Sequence, residues 1–429
     1  MKNPKIKFSS ITLFSIIILF NFVFTFCKKE SPPNQLKDNS MQVSQTKNKM
    51  DTILKFTDLT KDAFKLHYDA TVIDFHNDYV YQVYFRNAYF GKKDKFTQSG
   101  LPRFIEGGVD VQIFAVWIVQ KEIKRANQFA KEQISRIKKF EADYPEKFEL
   151  AKTYNDIIRI NKSGKMCGLI GIEDGAPIEN DIDEINTFYN SGVRYIGLTW
   201  NHSNKIGTSA QDESEAGTGG LTDYGKEVVK RMDELGMLID VSHIGEKTFW
   251  DIINTSKNPI IASHSNCYAL NPHFRNLTDE QIKAIAKSGG IIGMNFLDEF
   301  IDQDAKANRV KNYYQVYKKE IDEIFEQNKD DLVKFNEERE IFMKEHPIKG
   351  GTTIDDLIKH IDHIKNLVGV DYIGLGSDFD GGITPPIDMY DATCYPLLTK
   401  KLAEKGYTED EIRKILGLNF LRVFKQVCG

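Results

Sequence analysis

From residue 71 onward the chain alternates between two hydrophobic periods, and this alternation limits its fold more than any other property. Eight apolar, β-branched stretches read as strands: 71–76, 109–118, 166–174, 193–200, 236–243, 258–264, 289–297 and 370–378. Helical periodicity fills the intervals. In "DYGKEVVKRMDELG" (223–236), Val228, Val229, Met232 and Leu235 share one helical face. In "LTDEQIKAIAKSGG" (277–290), Thr278 and Gln281 make a capping box, and Asp279 and Glu280 occupy the first turn, where the helix dipole favours acids. Strands alternating with helices build a parallel sheet covered by those helices. Eight such units match an α/β fold of the (β/α)8 TIM type over 53–429, with a doubly wound open sheet as the competing arrangement. The charged run 301–350 breaks the rhythm with a helical insertion between the seventh and eighth strands. It reads either as a solvated insertion or as a lid over the barrel mouth.

In such a barrel the C-terminal strand ends share one rim, and chemistry collects there. The stretches end on a selective set of side chains: His76 and Asp78 on the first, Glu173 and Asp174 on the third, His243 on the fifth, His264 on the sixth, Asp378 and Asp380 on the eighth. The chain has nine histidines, and three of them close strands. Singly, each has an ordinary explanation. A histidine can be satisfied in a core, and an aspartate can serve a turn or an N-cap, as suits Asp380 before Gly381 and Gly382. Gathered on one rim, these groups crowd carboxylates into poorly solvated space, and a divalent cation offsets that cost. Mixed imidazole and carboxylate donors suit zinc, and less selectively manganese, iron or cobalt. The strand period of two also turns His76 and Asp78 to the same side, within reach of one ion.

Other signals are weaker. His360 and His363 share a helical pattern just before the eighth strand, so they belong to an outer helix. Cys167 and Cys267 read as core thiols. The five cysteines include no C-x-x-C pair, which argues against a zinc ribbon or a disulfide framework. A formal net charge of −5 provides no basic footprint for nucleic acid. Residues 1–27 have a basic start and a mostly apolar run to Phe26, the layout of a secretory signal. Cys27 stands where that run stops, as in a bacterial lipoprotein signal whose cysteine becomes lipidated, although Phe26 occupies a position where such signals carry a small residue. An uncleaved anchor and ordinary secretion are the alternatives. Residues 28–52 are polar and read as a flexible tether. The expectation is an exported, membrane-anchored lipoprotein, periplasmic or on the cell surface.

Six segments, "IDFHND" (73–78), "GIEDG" (171–175), "LIDVSH" (238–243), "IIASHS" (260–265), "FRNLTDEQI" (274–282) and "GLGSDFDG" (374–381), resemble in content and order the renal, or membrane, dipeptidase family of the amidohydrolase superfamily. The resemblance runs from about residue 70 to the C-terminal "GYTEDEIRKILGLNFLRVF". It implies a zinc-dependent dipeptidase with two Zn2+ per chain that hydrolyses dipeptides through a metal-bridging hydroxide. By the same resemblance His76 and Asp78 hold one ion, His243 and His264 hold the other, and Glu173 bridges them. Arg275 takes the substrate carboxylate, and Asp378 handles the proton and the free amine. The resemblance breaks at Trp200, where the family's mammalian members carry a substrate-binding histidine; His202, two residues on, is the candidate substitute. Another metal-dependent amide or lactam hydrolase on this barrel, or a non-catalytic surface binding protein, stays open, as does assembly into a homodimer.

Overall fold

The computed structural model describes residues 59–217 and 219–429, so the expected signal and tether lie outside the described residues. Nine strands occur among these: β1 (Ile73–Asn77), β2 (Val111–Trp117), β3 (Phe148–Leu150), β4 (Met166–Glu173), β5 (Val193–Gly197), β6 (Leu238–Asp240), β7 (Ile261–Ala262), β8 (Ile291–Met294) and β9 (Ile373–Leu375). All pairings are parallel. The order β2-β1-β9-β8-β7-β6-β5-β4 closes through β4 onto β2, so eight strands form a barrel wrapped by helices. The short β3 is the strand that hydrophobic pattern misses. It lies along the first half of β4, with Phe148 opposite Met166, and β5 takes over that edge from Ile170 onward.

The barrel interior is dry at its N-terminal end. Inward-facing Ile73, Phe75, Val111, Ile113, Leu169, Tyr195 and Leu238 meet Phe420, Val423 and Phe424 from the helix Asn419–Cys428, which plugs that end. Phe75 and Phe420 stack with ring centroids 5.1 Å apart. Glycine makes room for the larger rings. A Cβ on Gly293 would lie 2.1 Å from the Ser263 carbonyl oxygen and 2.5 Å from the Phe75 ring. With the floor filled by apolar side chains, the polar strand ends are left to the opposite rim.

Helix starts follow the local chemistry read from the sequence. Thr278 and Gln281 form the expected box at the head of Asp279–Ser288, and Thr222 caps Asp223–Leu235, which stops at Gly236 with φ of 69°. The insertion contains two helices, Tyr313–Asn328 and Leu332–Glu345. They bind the barrel flank through Arg339, which is fully buried and donates to the Thr393 carbonyl oxygen at 2.9 Å and to Tyr390 Oη at 3.2 Å. Neither helix contributes a side chain to the cleft at the barrel mouth. His360 ties the outer helix Ile354–Val368 to two loops: its Nδ1 accepts from the Cys267 amide at 3.1 Å, and its Nε2 donates to the Ile301 carbonyl at 3.0 Å. His363 pairs with Asp279 at 2.7 Å.

Candidate metal centre

The strand ends bring His76, Asp78, Glu173, His243, His264 and Asp378 to one rim, all buried or nearly so. Donor atoms of His76, Glu173 and His264 lie within 4.8 Å of one another, and so do those of His76, Asp78 and Asp378. Glu173 sits between two groups. Its Oε1 is 2.8 Å from His243 Nε2 and 3.5 Å from His264 Nε2, while its Oε2 is 3.6 Å from His76 Nε2. On the far side His76 Nε2 is 3.6 Å from Asp78 Oδ2. Backbone strain accompanies the convergence. Asp174, His243, Asp378 and Asp380 adopt φ between 64° and 94°, a region costly for residues with a Cβ and one that gathers at functional sites.

Hydrogen bonds behind the cluster fix which nitrogen faces it. Asn201 Oδ1 lies 2.9 Å from His243 Nδ1, so that nitrogen carries the proton when the carbonyl faces it. The Ser263 hydroxyl donates to Asp240 at 2.5 Å, which leaves its oxygen to accept from His264 Nδ1 at 2.7 Å. Both Nε2 atoms therefore present lone pairs, although they lie only 3.0 Å apart. Burial pushes the His243 imidazole down to about 4 and His264 well below its ordinary value, so neither supplies a proton to separate them near neutrality. Tyr195 Oη lies 3.0 Å from His76 Nδ1 and holds that ring.

Electrostatics leaves the cluster short of positive charge. Burial raises the Glu173 carboxyl, but the charge on His76 leads the effects that outweigh it and hold its pKa well below the ordinary range. Burial opposes a charge on His76, yet Tyr195, Glu173 and Asp78 outweigh it and hold its pKa well above the ordinary value. Burial pushes Asp78 up to about 6. It also pushes Asp378 well above the carboxylate range, with Asp78 and Glu173 adding to the shift. Asp78 Oδ1 is buried without a hydrogen-bond partner. The His243 and His264 lone pairs facing a carboxylate, with this orphaned acceptor beside them, suit divalent cations.

A cleft of about 410 Å³ opens over the cluster, lined by Tyr81, Trp117, Trp200, Phe274 and Phe300 around Glu173 and Arg275. Arg275 is buried, with one long bond from Nη2 to the His264 carbonyl at 3.4 Å and its Nε unpartnered. Asp378 Oδ2 accepts from Asn295 Nδ2 at 3.0 Å. His202 does not join them. Its side chain is 54% exposed and lies 3.7 Å from Asp212. The chain after Trp200 turns so that Asn201, not His202, faces His243, while Trp200 itself lines the cleft and meets Trp117 at 5.0 Å between ring centroids. Asn201, Tyr195, Asp240, Ser263 and Asn295 support the site and escape sequence reasoning. All but Asn201 lie within predicted strands, but nothing in sequence marks that their side chains serve this site.

The sequence model of the membrane dipeptidase family (Peptidase family M19) matches residues 60–428. A Klebsiella pneumoniae protein described as an uncharacterized protein in the pqqA 5′ region is 31% identical over 299 residues, covering 69% of this chain and 95% of that protein. Among solved structures, the dipeptidase AC, a metallopeptidase of family M19, superposes with a TM-score of 0.69 at 25% identity, covering 84% of this chain and 99% of its own. A metallopeptidase from Rhodobacter sphaeroides, liganded with a phosphinate mimic of the dipeptide L-Ala-D-Ala, has a TM-score of 0.68 at 24% identity, covering 83% of this chain and 99% of its own.

Proposed function

The chain belongs to the membrane dipeptidase family, and from that premise we propose that it hydrolyses dipeptides with the aid of two zinc ions at the barrel mouth. The observation that carries the proposal is the meeting of the His243 and His264 Nε2 atoms 3.0 Å apart over the Glu173 carboxylate. In this reading His76 and Asp78 hold one ion, His243 and His264 hold the other, and Glu173 lies between them. Two such ions supply Lewis acidity toward the scissile carbonyl and acidify the attacking water.

The chain's own residues do the rest. Arg275 offers a planar fork to the substrate's terminal carboxylate, a geometry lysine lacks. Because Arg275 is buried and almost free of internal partners, binding a carboxylate relieves it of an unpaired charge. The charge of the bound cations would offset the burial of Asp378 and keep it ionised; positioned by Asn295, it then accepts a proton from the attacking water and passes it to the leaving nitrogen. The same carboxylate faces the substrate's free amine. Trp117 and Trp200 wall the cleft with apolar surface and limit water there. Recognition of both free termini restricts the reaction to dipeptides, since a longer chain leaves one charged partner unmatched.

The test is turnover of a dipeptide panel by metal-replete and chelated protein, with bound metal counted in the same samples. N-blocked dipeptides and cyclic amides belong in the panel. Hydrolysis of these in place of free dipeptides would favour another amide or lactam hydrolase, and no chelator-sensitive turnover at all would favour a binding protein. We also propose export and lipid anchoring at Cys27. Cys27→Ala then releases the protein from the membrane fraction, and unchanged fractionation refutes the anchor. Among the described residues no helix is long and apolar enough to cross a membrane.

A further inference from the structure

A second cleft, of about 420 Å³, opens beside the first and shares His243, Phe274 and Arg275 with it. Two groups of polar atoms line it. The first group suits an anion. Arg275 is 4% exposed with its Nε unpartnered, and Ser265, 1% exposed, has a hydroxyl without a partner. The second group is acidic and consists of Glu213 and Glu246, which border the cleft on either side of Gly245. Glu213 spends one oxygen on the head of the helix Glu246–Thr255, accepting from the Lys247 amide at 3.4 Å; its other oxygen has no partner. Burial pushes the Glu213 carboxyl above its ordinary value, and Glu246 adds to the shift by repulsion. The Lys247 ammonium pairs with Asp251 at 2.9 Å, and its charge only partly offsets the burial of Glu213. Arg275 is drawn chiefly toward Glu173 and Asp378. Ile244, Leu277 and Tyr268 supply apolar surface to the same cleft.

A buried cation with free donors and two carboxylates without an ion-pair partner in one cleft complement a ligand that carries the opposite charges. We infer that this cleft receives the C-terminal residue of the dipeptide and selects a cationic side chain, lysine or arginine. The substrate carboxylate meets Arg275 and the Ser265 hydroxyl. The aliphatic stem lies along Ile244 and Leu277, and the ammonium or guanidinium meets Glu213 and Glu246. A neutral side chain leaves the two carboxylates as they are, and an acidic one adds a third negative charge. This inference rests on the dipeptidase reading above and adds the class of substrate.

The experiment compares kcat/KM of the metal-replete protein for Ala-Lys, Ala-Arg, Ala-norleucine and Ala-Glu at low and high salt. The expected order is Ala-Lys and Ala-Arg above Ala-norleucine by roughly tenfold, with Ala-Glu lowest and the spread narrowing in salt. Combined Glu213→Gln and Glu246→Gln bring the Ala-Lys to Ala-norleucine ratio near one. Glu246→Lys alone, at an exposed position, shifts preference toward Ala-Glu. A wild-type ratio at or below one, or a ratio that survives these substitutions, overturns the inference while the dipeptidase reading stands. Failure to turn over any of the four overturns both.

Discussion

Glu173→Gln removes a charge from the middle of the cluster and almost no volume, so its consequences separate cleanly by metal state. Without cations, Glu173 is 5% exposed and faces two imidazole lone pairs and the His76 ring. The amide would lose the ionic partner of His76, although Asp78 remains beside that ring. In return it would supply N–H donors to His243 or His264. Removing one partner of a buried ion pair costs about 3–5 kcal/mol where nothing replaces it, but here Asp78 stays beside His76 and the lost charge had faced the lone pairs of His243 and His264. The chelated variant should therefore unfold at or slightly above the wild-type temperature. With zinc at a hundred times its dissociation constant, the wild type should gain about 2.7 kcal/mol, and the variant much less. Dipeptide turnover should fall by about 10²-fold or more, since on the proposed reading both ions would lose a shared ligand. Thermal unfolding with chelator and with zinc, metal counting and a dipeptidase assay read all three effects. Full metal content and turnover in the variant would refute the bridging role. Chelated variant protein destabilised by about 3 kcal/mol or more would show instead that Glu173 is a structural ion-pair partner.

Arg275→Ala should raise KM for dipeptides by roughly 10–100-fold through loss of a charge-assisted bond, with zinc content intact; loss of zinc would contradict its role as a carboxylate fork. Burial pushes His67, bonded to Thr399 Oγ1 and the Gly107 carbonyl, down to about 4. The unfolded chain, titrating near about 6.5, takes up this proton first as pH falls. Stability from this group is therefore complete above about 6.5 and is lost toward 4, by about 3 kcal/mol in all. Denaturation midpoints at pH 7 and pH 5 should differ less in His67→Gln than in wild type. Gly293→Ala should cost about 3 kcal/mol, since its Cβ would meet the Ser263 carbonyl at 2.1 Å; a soluble variant with unchanged midpoint would refute that packing.

Much of the barrel was legible because its strands are buried on both faces and read as continuous apolar runs, even where the strand that forms is as short as Ile261–Ala262. Phe148–Leu150 escaped because three residues carry no period. The strand-end histidines and carboxylates were legible for a related reason: charged groups at the tips of apolar runs conflict with burial unless something answers them. Their supports were not. Tyr195 sits inside a predicted strand and reads as a core aromatic, yet its hydroxyl reaches His76, 119 residues away in sequence. Asn201 and His202 are neighbours in sequence, and only the turn after Trp200 decides that the amide, not the imidazole, faces the cluster. Register and loop direction are long-range properties, and they decide which of two adjacent polar residues reaches a site.

The floor of the barrel has a consequence for biogenesis. Phe420, Val423 and Phe424 belong to a helix that follows all eight barrel strands in the chain. As the polypeptide leaves the ribosome, its strands can begin to pair, but their inner faces stay wet until this helix emerges. Nascent chains shorter than about 420 residues should therefore remain soft, protease-sensitive and dependent on chaperones. On the export route proposed above, a delayed closure of this kind would keep the chain loose enough to be threaded through a translocation channel.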